Sequence, residues 1–358
     1  MGTLTVPGGQ QVSAFVCDDE ISAAQQALNT LDGSFSASNI NILTSTVVLP
    51  MPMPGKLYIF DVASGSVINP PFGHYATILS DDTAGATINA SGNGVLVIGN
   101  NQGDSISITG TGTLFEANGG EYIGSGTVIT GAGNDTITVK GDATVFSCGG
   151  NDSITVQLGN ASINVGPGND TITLGGPNDT VTAAGSATVV GPGGINATVS
   201  GGQLLFGGGA GGESVTAGSG NATLLGGSGV TFIGGSGNTL MQGTVGGGGN
   251  DTFVGGSGND TMNPGHGAGT AYNVFSFDTG ATPEGGSHVI NNFVQQGSGP
   301  QDKIQLGSGY TVNDILNGTD PHNVVTTDGG GNAVLSLDDG ATKITFVGIT
   351  KLTQNDFK

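Results

Sequence analysis

Short runs along the middle of the chain alternate polar and apolar side chains: TITV at 136–139, SITV at 153–156, TITL at 171–174 and TVT at 180–182. A period of two sends successive side chains to opposite faces, so these runs predict β-strands with one buried and one wet face. Ile137, Ile154, Ile172, Val181, Phe253 and Met262 are expected in the core, and neighbours such as Thr136 and Thr138 in water. A glycine-rich loop with an aspartate two residues before the core position leads into each run: GAGNDTITV at 131–139, GGNDSITV at 149–156, GPGNDTITL at 166–174, GGPNDTVT at 175–182, GGGGNDTFV at 246–254 and GGSGNDTMN at 255–263.

The spacing of these units predicts how they stack. Aspartates fall at 135, 152 and 170, while nine residues separate Asp170 from Asp179 and Asp251 from Asp260. Nine residues thus make a half-turn and eighteen a full turn of a coil, the signature of a solenoid. Units without the aspartate lie between them, as in GDATVF (141–146), GNASIN (159–164), GSATVV (185–190) and GNATLL (220–225). From 200 to 245 the glycine turns persist without aspartates, which predicts solenoid with an incomplete set of these acidic positions.

Residues 1–90 follow another pattern. Asp18-Asp19-Glu20 leads into a stripe of Ile21, Ala24, Leu28 and Leu31 that ends at Gly33, which predicts one helix over 19–31. INILTSTVVL at 40–49 and KLYIF at 56–60 read as strands on either side of the proline-rich 50–55 linker. The expected organisation is an N-terminal cap (1–90), a glycine-rich solenoid (91–267) and a β-rich C-terminal segment (268–358).

Composition supports a repeat. Glycine supplies 71 of 358 residues, several times the roughly 7% of ordinary domains, yet Val, Ile and Leu recur too regularly for a disordered tail. There are 27 acidic residues against six basic ones, all lysine, and the net charge of −21 excludes nucleic acid as a partner. So acidic a surface repels itself unless cations neutralise it.

The glycine–aspartate units resemble the nonapeptide repeat GGxGxDxUx of the repeats-in-toxin (RTX) family, in which U is a large apolar residue. Units 246–254 and 255–263 match every defined position; 130–138 and 165–173 depart at the first glycine, and 147–155 and 174–182 at two positions each. An all-β parallel β-roll binding several calcium ions is what the resemblance implies. The physics agrees, since glycine carbonyls and carboxylates form the all-oxygen set that suits a hard cation. The candidate ligand loops hold Asp135, Asp152, Asp170, Asp179, Asp251 and Asp260 with Asn134, Asn169, Asn250 and Asn259. Their glycines are Gly131, Gly133, Gly150, Gly166, Gly168, Gly247, Gly249, Gly256 and Gly258. In the resembled fold Asp135, Asp152 and Asp170 would line one calcium ladder, with Asp179 on the opposite flank.

The C-terminal quarter carries the same resemblance. VFSFDTG at 274–280 and DKIQL at 302–306 look like the segment that closes many RTX proteins, and the ATKITFVGITKLTQNDFK tail resembles an uncleaved signal for type I secretion machinery. The N-terminus has neither a basic region nor an apolar core for a cleavable signal peptide, and no apolar run reaches the length of a membrane span. Cys17 and Cys148 form no disulfide framework.

Catalytic constellations are missing from the sequence. There is no HExxH and no GxSxG. The histidines at 74, 266, 288 and 322 are scattered and expected in loops, and no Trp or Arg stands by the acid pairs Asp81-Asp82 or Asp338-Asp339 to grip a sugar. Thr136/Thr138, Ser153/Thr155, Thr171/Thr173 and Thr180/Thr182 predict stacked hydroxyl rows on a solvent face. The expectation is a secreted, non-enzymatic structural protein that self-assembles into a surface layer, matrix or fibre. A binding module or adhesin for polysaccharide or ice is the competing class, and an RTX-type enzyme ranks third.

Overall fold

A computed structural model describes residues 149–209, 211–243, 249–265, 272–277, 285–295 and 301–358 fully, most of 134–147, and before that the backbone of strands. The helix expected over 19–31, both cysteines, His74, His266 and Asp81-Asp82 lie outside the described residues. The chain forms two compact units, Met1–Gly185 and Ser186–Lys358, and each is built on a parallel β-solenoid.

In the first unit every coil gives one strand to each of two parallel ladders. Ser153 pairs with Thr171 on one and Ser162 with Thr180 on the other, eighteen residues on in both cases, as the aspartate spacing predicts. The alternation decides what fills the space between the ladders: Ile137, Ile154 and Ile172 stack in register on one side, Val145, Ile163 and Val181 on the other, each at most 1% exposed. Outward neighbours stack into the expected hydroxyl rows, Thr136–Ser153–Thr171 and Thr138–Thr155–Thr173. Parallel pairing already begins at Ile40–Leu43 with Leu57–Val62, inside the stretch read as a cap. An antiparallel pair, Gly2–Thr5 with Gln11–Ala14, precedes it.

In the second unit the two ladders run through the aspartate-poor stretch without a break, through Leu204–Gly207, Ala222–Leu225 and Thr239–Gln242 on one and Ser214–Thr216 and Thr231–Ile233 on the other. Beyond residue 240 the loops lengthen. Leu240 pairs with Thr261, Thr252 with Val274, and Val274 with Lys303. Larger side chains fill this end of the core: Phe232, Phe253 and Phe275 stack with ring centroids 5.2 and 5.0 Å apart. Phe293 and Phe346 continue the cluster at 5.7 and 5.3 Å.

The C-terminal tail is part of this packing. Thr342–Phe346 pairs in parallel with Gly286–Ile290 and then antiparallel with Ala333–Leu337, which pairs with Val324–Thr327. Leu352 and Phe357 are buried, and Phe357 bridges to Ile304. The one α-helix among the described residues, Val312–Asn317, is closed by Gly318 at φ 67°.

Candidate metal centre

The aspartates two residues before the core positions are buried, not displayed on the loops. Asp152, Asp170, Asp179, Asp251 and Asp260 are between 0 and 3% exposed. Each of the last four turns one oxygen to the backbone of the preceding coil. In the first unit Asp170 Oδ1 accepts the Asp152 N–H at 3.0 Å, and Asp179 Oδ1 accepts that of Ala161 at 2.6 Å. In the second, Asp251 Oδ1 accepts the Val230 N–H at 3.0 Å, and Asp260 Oδ1 that of Thr239 at 2.9 Å. These amides sit where a loop turns into a strand, and an acceptor there spares a buried donor the cost of going unpaired. Asp152 accepts a short hydrogen bond from the Ser147 hydroxyl on Oδ2.

Asparagines one position earlier form exposed columns that act in the opposite sense. Asn134 Oδ1 accepts the Asn151 N–H at 2.7 Å, and Asn151 Oδ1 that of Asn169 at 2.9 Å. In the second unit Asn259 Oδ1 accepts the Ser287 N–H at 2.9 Å. Asn250 lies in the left-handed region at φ 64°, next to Gly249 at φ 60°. Gly150 has φ 113°, and the Gly166 N–H donates to the Ser147 carbonyl at 2.7 Å. Asp135, Gly131, Gly133 and Gly247 lie outside the described residues.

The second carboxylate oxygens carry the electrostatic problem. Asp170 Oδ2 and Asp179 Oδ2 are buried without a hydrogen-bond partner, and no Lys or Arg occurs between Lys140 and Lys303. Burial pushes the Asp170 carboxyl up from 3.8 to about 6, with the Asp152 amide pulling it back and the Asp152 charge adding to the rise. Burial raises Asp179 as well, against hydrogen bonds from the Ala161 and Gly176 backbones.

The donors these loops offer are all oxygen, the type a hard cation takes. A Cβ on Gly168 would fall 1.7 Å from the Gly150 carbonyl oxygen and 3.2 Å from Asp170 Oδ1, so glycine is what lets that carbonyl lie close against the next loop, beside the carboxylate. Gly256 and Gly258 meet the Gly235 and Gly237 carbonyls in the same way, at 2.2 and 2.0 Å. Among the described residues no three His, Cys, Asp or Glu side chains converge. An ion here would therefore draw most of its six to eight oxygens from loop carbonyls, with the aspartates supplying charge.

The raised acid makes a pH prediction. The folded-state pKa of Asp170 lies above 3.8, so the folded chain holds that proton more tightly than the unfolded one. Without metal, stability is therefore greatest below this window and falls as pH rises from about 4 to about 6, by on the order of 2 to 3 kcal/mol for this group. Calcium affinity should fall as pH drops through the same window, because the proton competes for the carboxylate. Circular dichroism in chelator across that range checks it, with β signal fading as pH rises, and a flat profile would mean that Asp170 ionises without penalty.

Several polar members of these columns escaped the sequence reading. Ser214 pairs with Thr231 and Thr231 with Thr252, so Glu213 shares a column with Val230 and Asp251. Glu213 is 1% exposed, neither carboxylate oxygen has a hydrogen-bond partner, and burial, with a smaller push from Asp251, raises its pKa. GGAGGESVT at 208–216 is the repeat with Glu in place of Asp, a signal visible in retrospect. Asn273 and Asp302 extend the column: Asn273 Oδ1 accepts the Asp251 N–H at 3.1 Å, and Asp302 Oδ1 that of Asn273 at 3.0 Å. Each stands two residues before a buried apolar side chain, Phe275 and Ile304.

His288 corrects an expectation. It lies in the strand Gly286–Ile290 and is 1% exposed, not in a loop. Thr261 pairs with Val289, so His288 takes the aspartate position one coil after Asp260. Its Nδ1 is 3.0 Å from Asp260 Oδ2, its Nε2 is 3.0 Å from the Gly285 carbonyl oxygen, and its ring packs 5.2 Å from Phe277. Asp260 thus faces an imidazole where Asp170 faces no partner. His322 is exposed beside Asp339, with Nδ1 at 3.0 Å from the carboxylate, which raises its pKa.

No helix among the described residues is long and apolar enough to cross a membrane. No protein-family model matches the chain, and no curated protein matches it, so the parallel β-solenoid with its buried acid columns is what characterises this protein.

Proposed function

We propose that the chain is an extracellular structural repeat protein that loads calcium along its acid columns and then self-assembles. The observation that carries this reading is the run of buried carboxylates from Asp152 to Asp260, in a stretch of sequence with no Lys or Arg between Lys140 and Lys303. Buried charges in proteins are paired or bind metal. A hard divalent cation, more abundant outside cells than inside, answers them through oxygen alone. The resemblance to RTX repeats supports the same cation and an exported destination by type I secretion.

A parallel solenoid whose coils serve as their own scaffold suits a building block or an adhesin-like repeat more readily than an enzyme. Assembly has a physical route in the second unit. Val324–Thr327 is an edge strand paired only with Ala333–Leu337 among the described residues, and Val324 is 37% exposed. An exposed strand edge offers unpaired backbone groups to another chain. Calcium would also lower the repulsion between chains of charge −21.

Light scattering and negative-stain microscopy on one calcium titration test the proposal. Ordered polymers or sheets should form as calcium is added and return to small species with chelator. A calcium-loaded chain that stays monomeric at high concentration would remove the structural reading and favour a binding module.

A further inference from the structure

A groove of about 430 Å³ opens on the first unit, over the column in which Ala143 and Ala161 take the position that Asp179 holds one coil further on. Its base is Ala143 and Ala161, adjacent in register and both buried, where larger side chains would fill the space. One row beside them is Asp142, Asn160 and Asn178; the other is Thr144, Ser162 and Thr180, stacked coil upon coil. Asp142 stands in a second exposed column of the same kind, on the other ladder: its Oδ1 accepts the Asn160 N–H at 2.9 Å.

We propose that this groove binds a neutral linear polysaccharide lying along the solenoid axis, one sugar to each coil. The volume suits a small oligosaccharide. Hydroxyls, amides and one carboxylate supply the donors and acceptors that sugar hydroxyls need. Neighbouring strands are about 4.8 Å apart, close to the advance of one pyranose unit in an extended chain, so successive sugars would meet equivalent groups.

Charge excludes the anionic relatives. Among the described residues the lining holds a carboxylate and no base, so uronates and phosphates would meet no counter-charge there. Pairing excludes an extended peptide added as a strand. Ala161–Val165 has neighbours on both sides, Ala143–Ser147 through one set of ladder bonds and Thr180–Ala183 through the other. The floor therefore offers no free strand edge. No aromatic ring lines the groove among the described residues, so each sugar adds little and affinity must accumulate with length.

Isothermal titration of the calcium-loaded full chain with cello-oligosaccharides, from disaccharide to hexasaccharide, tests this. The dissociation constant should fall several-fold with each added sugar up to the trisaccharide, which spans the three coils of the groove, and then level off. Ser162→Lys, an exposed change that fills the groove, should abolish binding with an unchanged circular dichroism melt, and Asp142→Ala should weaken it several-fold. Absence of binding by every oligosaccharide, affinity independent of length, or full binding by Ser162→Lys would each overturn the proposal. Scattering without sugar reports assembly separately, so the two readings can fail independently.

Discussion

Metal-free chain at neutral pH should give a largely disordered circular dichroism spectrum, and calcium at roughly 0.1–1 mM, the range of extracellular sites, should convert it to a β-sheet spectrum. The expectation follows from what each coil must order and what it can bury. Glycine loses more conformational freedom on folding than any other residue, and this chain has 71. Against that, a coil such as 153–170 buries only a few aliphatic side chains, among them Ile154, Val156, Ile163 and Val165. It also buries the Asp170 carboxylate with one oxygen unpartnered. At neutral pH that group is ionised against the pull of its surroundings, and neighbouring acids add repulsion. Bound calcium would remove the charge penalty and crosslink successive loops, so that binding energy becomes folding energy. Magnesium at the same concentration should do much less, because it demands compact octahedral geometry and gives up water reluctantly. A β-rich spectrum in chelator that calcium leaves unchanged would sink this account.

Gly168→Ala should be the most damaging single-methyl change in the first unit. The added Cβ would stand 1.7 Å from the Gly150 carbonyl oxygen and 2.8 Å from its carbon, and both are backbone of the preceding coil. Neither can yield without displacing the ladder that places Asp170 beneath Asp152. The expected cost is above about 4 kcal/mol, the range reserved for a broken packing arrangement, with calcium affinity falling alongside. Gly309→Ala and Gly329→Ala are the controls, since a Cβ there meets nothing within 4 Å and neither glycine has a left-handed φ. Both should stay within about 0.5 kcal/mol of the parent. Urea midpoints in saturating calcium compare the three, and equal midpoints would show that the coils are not stacked as closely as Gly168 and Gly150 require.

The strands, the inward residues and the eighteen-residue coil were all legible in the sequence, because each depends on neighbours a few positions away. Alternation decides which of Thr171, Ile172 and Thr173 turns inward, and the same glycine loop repeated at nine and eighteen residues dictates how often the chain reverses. The oxygen-rich character of the loops was readable for the same reason. What Asp170 does with its two oxygens was not, since its partner is an amide one full coil away and its lack of a second partner is a property of packing. Asn273, Asp302 and His288 were hidden more deeply. They join the acid columns only because Val274, Lys303 and Val289 fall into ladder register, across loops whose lengths depart from the eighteen-residue rule. Local chemistry specifies a turn and a strand wherever the motif occurs, but which coil rests on which residue is a long-range choice made by core packing. In the second unit the stacked Phe232, Phe253 and Phe275 hold that choice in place.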